Sequence, residues 1–347
     1  MNEEETRGMI EQAKRNIIKM VVGNNNSLCN ELLNIFNSRI EIKLGSQSQN
    51  TNFAAYTSGS LIHKFDDKGN LLVQSGKVSI GIPYPPDSNL ASFNGWYVDV
   101  HHELFHAFAK IMNGIKSCEN NGNIYYSPIG GKISILKFDN NGDLINCGDV
   151  PFSVLSNELT TDLFAYICTY KSLDGIFYGN DLDIIDERFG HYNGYYELLQ
   201  LGLVIFNAFS NYTPNYDQLI SNGDDIFNKK FQGNITCYYN DLMYGVLYNP
   251  AHIKDKFLEY ASEKDWNELN KYSKSLLDNF QNNNRKIVKA DVNNIMKIMK
   301  NYFVTKIEVM KTNRILSYDV INQLTIKFNE RYEYAKTCYG IKETRLV

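Results

Sequence analysis

The residues with the clearest chemical potential are two histidines and a glutamate in the segment His-Glu-Leu-Phe-His at positions 102–106. On a helix, His102 and His106 project from one face a single turn apart, where two imidazole nitrogens can reach the same metal ion. Glu103 follows the first histidine directly. A carboxylate there can lie beside a metal-bound water, accept its proton and pass it to a leaving amine. The segment therefore predicts a zinc site that hydrolyses peptide bonds.

The context of this segment supports a metal site over a chance match, although unrelated helices do carry such pairs. Three of the six histidines, His101, His102 and His106, fall within it or next to it, directly after a predicted sheet. The surrounding residues predict a helix with a natural end near Gly114, because four apolar residues form a stripe at helical spacing: Leu104, Phe108, Ile111 and Ile115.

A catalytic zinc ion takes three protein ligands and keeps one position open, so a third ligand must come from elsewhere. Glu158 and Asp162 lie four residues apart on a second predicted helix and therefore face the same way. We predict that Glu158 binds zinc and that Asp162 accepts the free ring N–H of a liganding histidine, which fixes the tautomer. The alternative is a helix with two solvated acids. Apolar residues at helical spacing favour a packed helix: Leu155, Leu159, Phe164 and Ile167.

Together, H-E-x-x-H at 102–106 and N-E-x-x-x-D at 157–162 resemble the gluzincin, or thermolysin-like, branch of the zincin metallopeptidases. The resemblance covers roughly residues 27–172. It implies a zincin fold, with a twisted sheet and an active-site helix above a mostly helical lower subdomain. It also implies that His102, His106 and Glu158 hold Zn²⁺, that Glu103 is the general base and that Asp162 is the partner of a liganding histidine.

Two features depart from the gluzincin pattern. The interval from His106 to Glu158 is much longer than in the thermolysin group and holds a predicted hairpin around residues 133–145. The tyrosine or histidine that stabilises the oxyanion in this family has no clear counterpart. We take His191 as the candidate, because Asp186 precedes it by five residues and could orient its ring. An ordinary histidine is an equally good interpretation, and three tyrosines compete for the role: Tyr192, Tyr195 and Tyr196.

The wider sequence predicts an α+β, zincin-like fold, with a small twisted sheet and the active-site helix in the N-terminal part and a mainly helical C-terminal part. We divide the chain into an N-terminal zincin subdomain with the H-E-x-x-H helix, an inserted hairpin, and a mainly helical subdomain that starts with the Glu158 helix: 1–116, 117–150 and 151–347. Residues 78–82 are predicted to form an edge strand of the cleft that binds an extended substrate by strand addition.

Composition and charge indicate which classes of binding partner and which location to expect. The net charge is only -4 and charges of both signs are interspersed, so we expect no nucleic acid partner. The longest apolar run, residues 198–209, is broken by Gln200 and Asn207 and predicts no membrane span. The acidic start lacks the features of a secretory signal, so we expect a cytoplasmic protein or one exported without a cleavable Sec signal. Six cysteines without C-x-x-C spacing predict free thiols.

These observations favour a zinc metallopeptidase that acts on a peptide or protein substrate. A metzincin is excluded, since Ala109 and Met112 stand where that branch needs glycine and histidine. One alternative is a zincin-like binding or regulatory module without turnover, whose structural zinc would be closed by a fourth ligand such as His101 or His191. A peptidase toxin or effector is the other alternative. The sequence indicates no particular oligomeric state.

Overall fold

A computed structural model describes residues 2–22, 26–45, 56–65, 67, 71–86, 90–111, 117–120, 123–126, 133–172, 196–209, 253–282 and 286–341. The N-terminal elements are α1 (Glu3–Val22), α2 (Asn26–Arg39), β1 (Ile40–Leu44), β2 (Tyr56–Phe65), β3 (Leu71–Ile82) and α3 (Leu90–Ile111). Four strands and a long helix follow: β4 (Ser117–Asn120), β5 (Asn123–Tyr126), β6 (Ser134–Phe138), β7 (Leu144–Asp149) and α4 (Pro151–Ser172). The remaining described elements are helical: a 3-10 turn (Tyr196–Leu198), α5 (Leu199–Phe209), α6 (Ile253–Leu258), α7 (Glu263–Asn282), α8 (Lys289–Thr312) and α9 (Tyr318–Tyr339).

The first sheet has three strands in the order β1-β3-β2, with β1 parallel and β2 antiparallel to β3. The prediction that residues 78–82 form an edge strand is wrong. They belong to the central strand β3, where Val78 pairs with Ile40 on one side and with Gly59 on the other. Strand addition needs unpaired main-chain groups, and both sides of this segment are already used. The alternation of the segment predicted a strand but carried no information about its neighbours.

A second sheet of four antiparallel strands lies between α3 and α4 in the chain, in the order β4-β5-β6-β7. Its last two strands form the predicted hairpin, and β4 and β5 are two further strands that the sequence did not predict. Ile124 and Leu136 form the buried centre of this sheet, and Leu71 of β3 packs against them. The insertion thus contacts the end of the first sheet.

Helix α3 is fixed to the N-terminal elements along its length. Trp96 Nε1 donates a hydrogen bond to the carbonyl oxygen of Pro83 at 2.9 Å, which ties the first half of the helix to the end of β3. Further along, the Phe108 ring stacks on Phe36 of α2 with 5.7 Å between centroids. The apolar stripe around the H-E-x-x-H segment predicted a buried face of this helix. Leu104 and Phe108, two residues of that stripe, are fully buried.

The C-terminal helices are rich in aromatic contacts and share one hydrophobic core with the N-terminal elements. Phe303 stacks on Phe328 at 4.0 Å and Phe257 on Tyr302 at 5.3 Å between ring centroids. Two helices, α6 and α7, follow each other with a short break between them. Ser262 and Asp265 explain the break, because each side chain accepts a hydrogen bond from the other's backbone N–H at 3.1 Å, as in a capping box that starts a new helix. No described helix has the length and apolar character needed to cross a bilayer.

Lys306 of α8 is buried under the end of α5. Its Nζ donates hydrogen bonds to the carbonyl oxygens of Ala208 and Phe209, both at 2.9 Å. These carbonyls belong to the last turn of α5. Burial lowers the pKa of Lys306 to about 7, because the charged ammonium loses its hydration.

We predict that Lys306 makes folding stability depend on pH. Between its folded pKa of about 7 and the ordinary lysine value of 10.5, the unfolded chain binds a proton that the folded chain does not. The free energy of unfolding should therefore rise with pH, by at most about 1.4 kcal/mol per unit from this group. Urea unfolding between about pH 7.5 and 9.5 should show a smaller slope in Lys306→Met than in the parent. Lys311→Met, at an exposed lysine on the same helix, is the control, and equal slopes in all three proteins would contradict the assignment.

Candidate metal centre

The predicted ligands lie on two helices that pack against each other, α3 and α4. Helical pitch places His102 and His106 one turn apart on α3, with 4.5 Å between their ring centroids. Glu158 comes from α4, which is held against α3 by apolar contacts such as that between Phe105 and Phe164, with centroids 5.7 Å apart. The interface therefore brings together side chains that are 52 residues apart in the chain.

Three potential ligand atoms lie close together between these helices. His102 Nε2 and His106 Nε2 lie 2.9 Å apart, and Glu158 Oε2 lies 3.3 Å from the first and 3.2 Å from the second. Donors bound at about 2.0–2.2 Å to one tetrahedral zinc ion are roughly 3.3–3.6 Å from each other. The triangle matches that requirement to within a few tenths of an ångström, and two imidazoles with a carboxylate are a donor set that zinc prefers.

Asp162 orients the first histidine. Its Oδ1 accepts a hydrogen bond from His102 Nδ1–H at 2.5 Å, and the aspartate is fully buried. A proton on Nδ1 leaves the lone pair of Nε2 directed at the other two donor atoms. The predicted contact between Asp162 and a histidine is thus present, with His102 as the partner.

Asn157 is a site residue for which sequence reasoning assigned no role. It is buried beside Glu158, and its amide nitrogen Nδ2 lies 3.5 Å from His106 Nδ1. Only with the amide oxygen and nitrogen exchanged would Asn157 accept the Nδ1–H of His106 and leave Nε2 free to bind a metal. The signal in the sequence was its position next to the predicted ligand Glu158.

The charges of the site favour an ionised glutamate beside polarised imidazoles. Burial lowers the pKa of His102, but the nearby carboxylate of Asp162, helped by Glu158 and Glu103, outweighs burial and raises that pKa well above its ordinary value. Burial likewise raises the pKa of Glu158, and the attraction of His106 and His102 outweighs it, so that pKa lies well below the usual range. Two carboxylates around two imidazoles create a negative site that suits a divalent cation.

His101 points away from this cluster. It is fully buried, with Nδ1 2.8 Å from the carbonyl oxygen of Tyr97 and 2.9 Å from Thr169 Oγ1, and with Nε2 3.4 Å from Asn16 Nδ2. These partners come from α1, α3 and α4 and occupy both ring nitrogens. Burial lowers the pKa of His101 to about 4, so the ring is neutral. Its position is that of a structural link between three helices and not of a fourth ligand.

Within the described residues, the cluster of possible metal ligands comprises His102, His106 and Glu158 alone. Their side chains are 8%, 14% and 19% exposed. Glu103 is half-buried and close enough to influence the His102 ring electrostatically. His191, Tyr192 and Tyr195, the candidates for oxyanion stabilisation, lie outside the described residues, and only the backbone of Tyr196 is described.

Comparison of the chain with protein-family models, with curated proteins and with solved structures found no match. A function for this chain must therefore be inferred from its residues and their geometry.

We predict that Asp162→Ala weakens zinc binding about ten- to hundredfold, because His102 loses the acceptor that fixes its tautomer and orientation. Asp162→Asn keeps an acceptor oxygen and should lose less. The measurement is a zinc titration in competition with a chromophoric chelator. Asp278→Ala, at an exposed acid on α7, is the control, and an unchanged zinc affinity in Asp162→Ala would show that this hydrogen bond does not serve a metal site.

Proposed function

We propose that this chain is a zinc-dependent metallopeptidase of the gluzincin type, with a zincin-like arrangement of sheet, active-site helix and ligand helix. The observation that carries the proposal is the convergence of His102 Nε2, His106 Nε2 and Glu158 Oε2 within 2.9–3.3 Å of one another. Such a set is expected from H-E-x-x-H followed by a downstream glutamate helix, and the Asp162 contact with His102 adds an independent feature of the same pattern.

In the proposed mechanism, some side chains bind the zinc ion or orient its ligands, and Glu103 transfers the proton. His102, His106 and Glu158 would hold the zinc ion, while Asp162 and Asn157 keep the two rings oriented. When bound, zinc supplies Lewis-acid chemistry, since it makes water more acidic and polarises the carbonyl of a peptide bond. The ligand set supports catalysis over a purely structural metal, because among the described residues three protein donors meet there and structural zinc takes four.

Glu103 is the proposed general base. It follows His102 on α3, is half-buried and is not part of the ligand cluster. A carboxylate in this place can take a proton from water that attacks a peptide carbonyl and return it to the departing amine, so that one group serves as base and then as acid. His191 remains the proposed oxyanion-stabilising residue. The substrate class is a peptide or protein.

We predict that Glu103→Gln abolishes peptide cleavage and leaves zinc bound. The amide keeps the size of the side chain and cannot accept the proton, so kcat should fall by at least about a hundredfold. Cleavage of a diverse peptide library and zinc content would be measured together for parent and variant.

The matched control is Glu330→Gln, at an exposed glutamate on α9, which should cleave like the parent. Equal cleavage by Glu103→Gln and the parent would refute the role of Glu103. A variant that lost both zinc and activity would instead make Glu103 part of the metal-holding set.

A further inference from the structure

The glutamate ligand is carried by a helix whose other side packs on α5 and α7. At the beginning of α4, the backbone N–H of Phe152 donates to Asn270 Oδ1 of α7 at 3.1 Å. One turn before Asp162, Leu159 faces Gly202 of α5, and a Cβ added to that glycine would lie 3.0 Å from Leu159 Cβ. Leu159 is the residue next to Glu158, so this close contact lies beside the ligand.

Gly202 is an unfavourable choice for a helix unless something requires it. Glycine in a helix interior costs roughly 1 kcal/mol relative to alanine. Gly202 lies inside α5, a helix whose other residues are all buried. The short distance to Leu159 supplies the reason, because only the absence of a side chain allows the two helix backbones to approach this closely.

Helix α5 is itself fixed at both ends by the C-terminal helices. At its start, Tyr339 of α9 accepts a hydrogen bond from the Leu201 N–H at 3.1 Å and donates one to the Glu197 carbonyl oxygen at 3.2 Å. At its end, Lys306 of α8 donates to the last carbonyls. The surface that Gly202 offers to α4 is therefore held in place.

We propose that Gly202 is a positioning residue of the metal centre, which sets the distance between α4 and α5 and thereby places the Glu158 carboxylate against the two histidines. This inference rests on the proposed metal site. Leu159 Cβ is bonded to the backbone, so an added methyl group at position 202 cannot be relieved by a change of rotamer. The helices must separate by a few tenths of an ångström. Any part of that shift that α3 does not follow changes the distance from Glu158 to the histidines of α3.

A shift of that size would change the geometry of the proposed metal site. The ligand atoms already match a zinc ion only to within a few tenths of an ångström, and metal affinity depends on ligand placement at this scale. The helical C-terminal part thus acts as a frame that keeps the third ligand in register with the other two.

The test compares zinc affinity in Gly202→Ala and in Gly8→Ala, at a helical glycine of α1 where an added methyl group would meet nothing within 4 Å. Gly202→Ala should weaken zinc binding about tenfold, the lower end of what the loss of an outer partner costs a metal site. Gly8→Ala should bind zinc as the parent does. An unchanged affinity in Gly202→Ala would overturn the proposal.

A double-mutant cycle separates positioning from general loosening. Gly202→Ala is also made in the Glu158→Ala background, where two histidines remain to bind zinc. If Gly202 acts through Glu158, the roughly tenfold effect seen in the parent should fall below about twofold in that background. An equal loss in both backgrounds would overturn the proposal, since it would reflect destabilisation of the whole protein.

Two further outcomes are distinguishable. If Glu158→Ala alone leaves zinc affinity unchanged, the proposed metal site fails; if it weakens binding and Gly202→Ala does not, only the positioning role fails. Should Gly202→Ala not fold, Tyr339→Phe takes its place in the same cycle, because it removes the hydroxyl that fixes the start of α5. Weaker zinc binding only when Glu158 is present would support the frame, and any other result would overturn it.

Discussion

The candidate site depends on one buried contact between α3 and α4, the hydrogen bond from His102 Nδ1–H to Asp162 at 2.5 Å. Asp162 is fully buried, and a buried carboxylate is tolerated only with a partner that compensates its charge. The contact therefore specifies how the two helices align as well as which nitrogen of His102 faces the cluster. Helical pitch alone brings the two imidazoles together. The carboxylate of Glu158 lies beside them only because α3 and α4 pack in this register.

The same constraint explains how the rest of the fold is arranged around the site. Helix α3 is fixed to the first sheet and to α2, through Trp96 and Phe108, and carries two of the proposed ligands. Helix α4 carries the third proposed ligand and packs on α5 and α7 with its other side. The candidate metal centre thus lies at the boundary between an N-terminal part with the sheets and a helical C-terminal part. A site built this way is sensitive to packing on both sides.

Local periodicity was enough to predict both site helices, because each carries an apolar stripe and two chemical groups one turn apart. It also predicted that Asp162 would contact a histidine, since a helix turn separates it from Glu158. The local pattern could not predict which strands pair with each other. The strand at residues 78–82 alternates as an edge strand or a central strand would, and only the partners at Ile40 and Gly59 decide. The role of Asn157 was missed for a similar reason, because it depends on how far His106 reaches across the helix interface.

The proposed activity requires that His102, His106 and Glu158 bind one zinc ion. Anomalous X-ray diffraction at the zinc edge, on crystals of the zinc-loaded protein, would locate that ion. We expect a single strong peak about 2.0–2.2 Å from His102 Nε2, His106 Nε2 and a Glu158 carboxylate oxygen. A peak bound by other residues, or no peak between the two helices, would contradict the assignment of the metal centre.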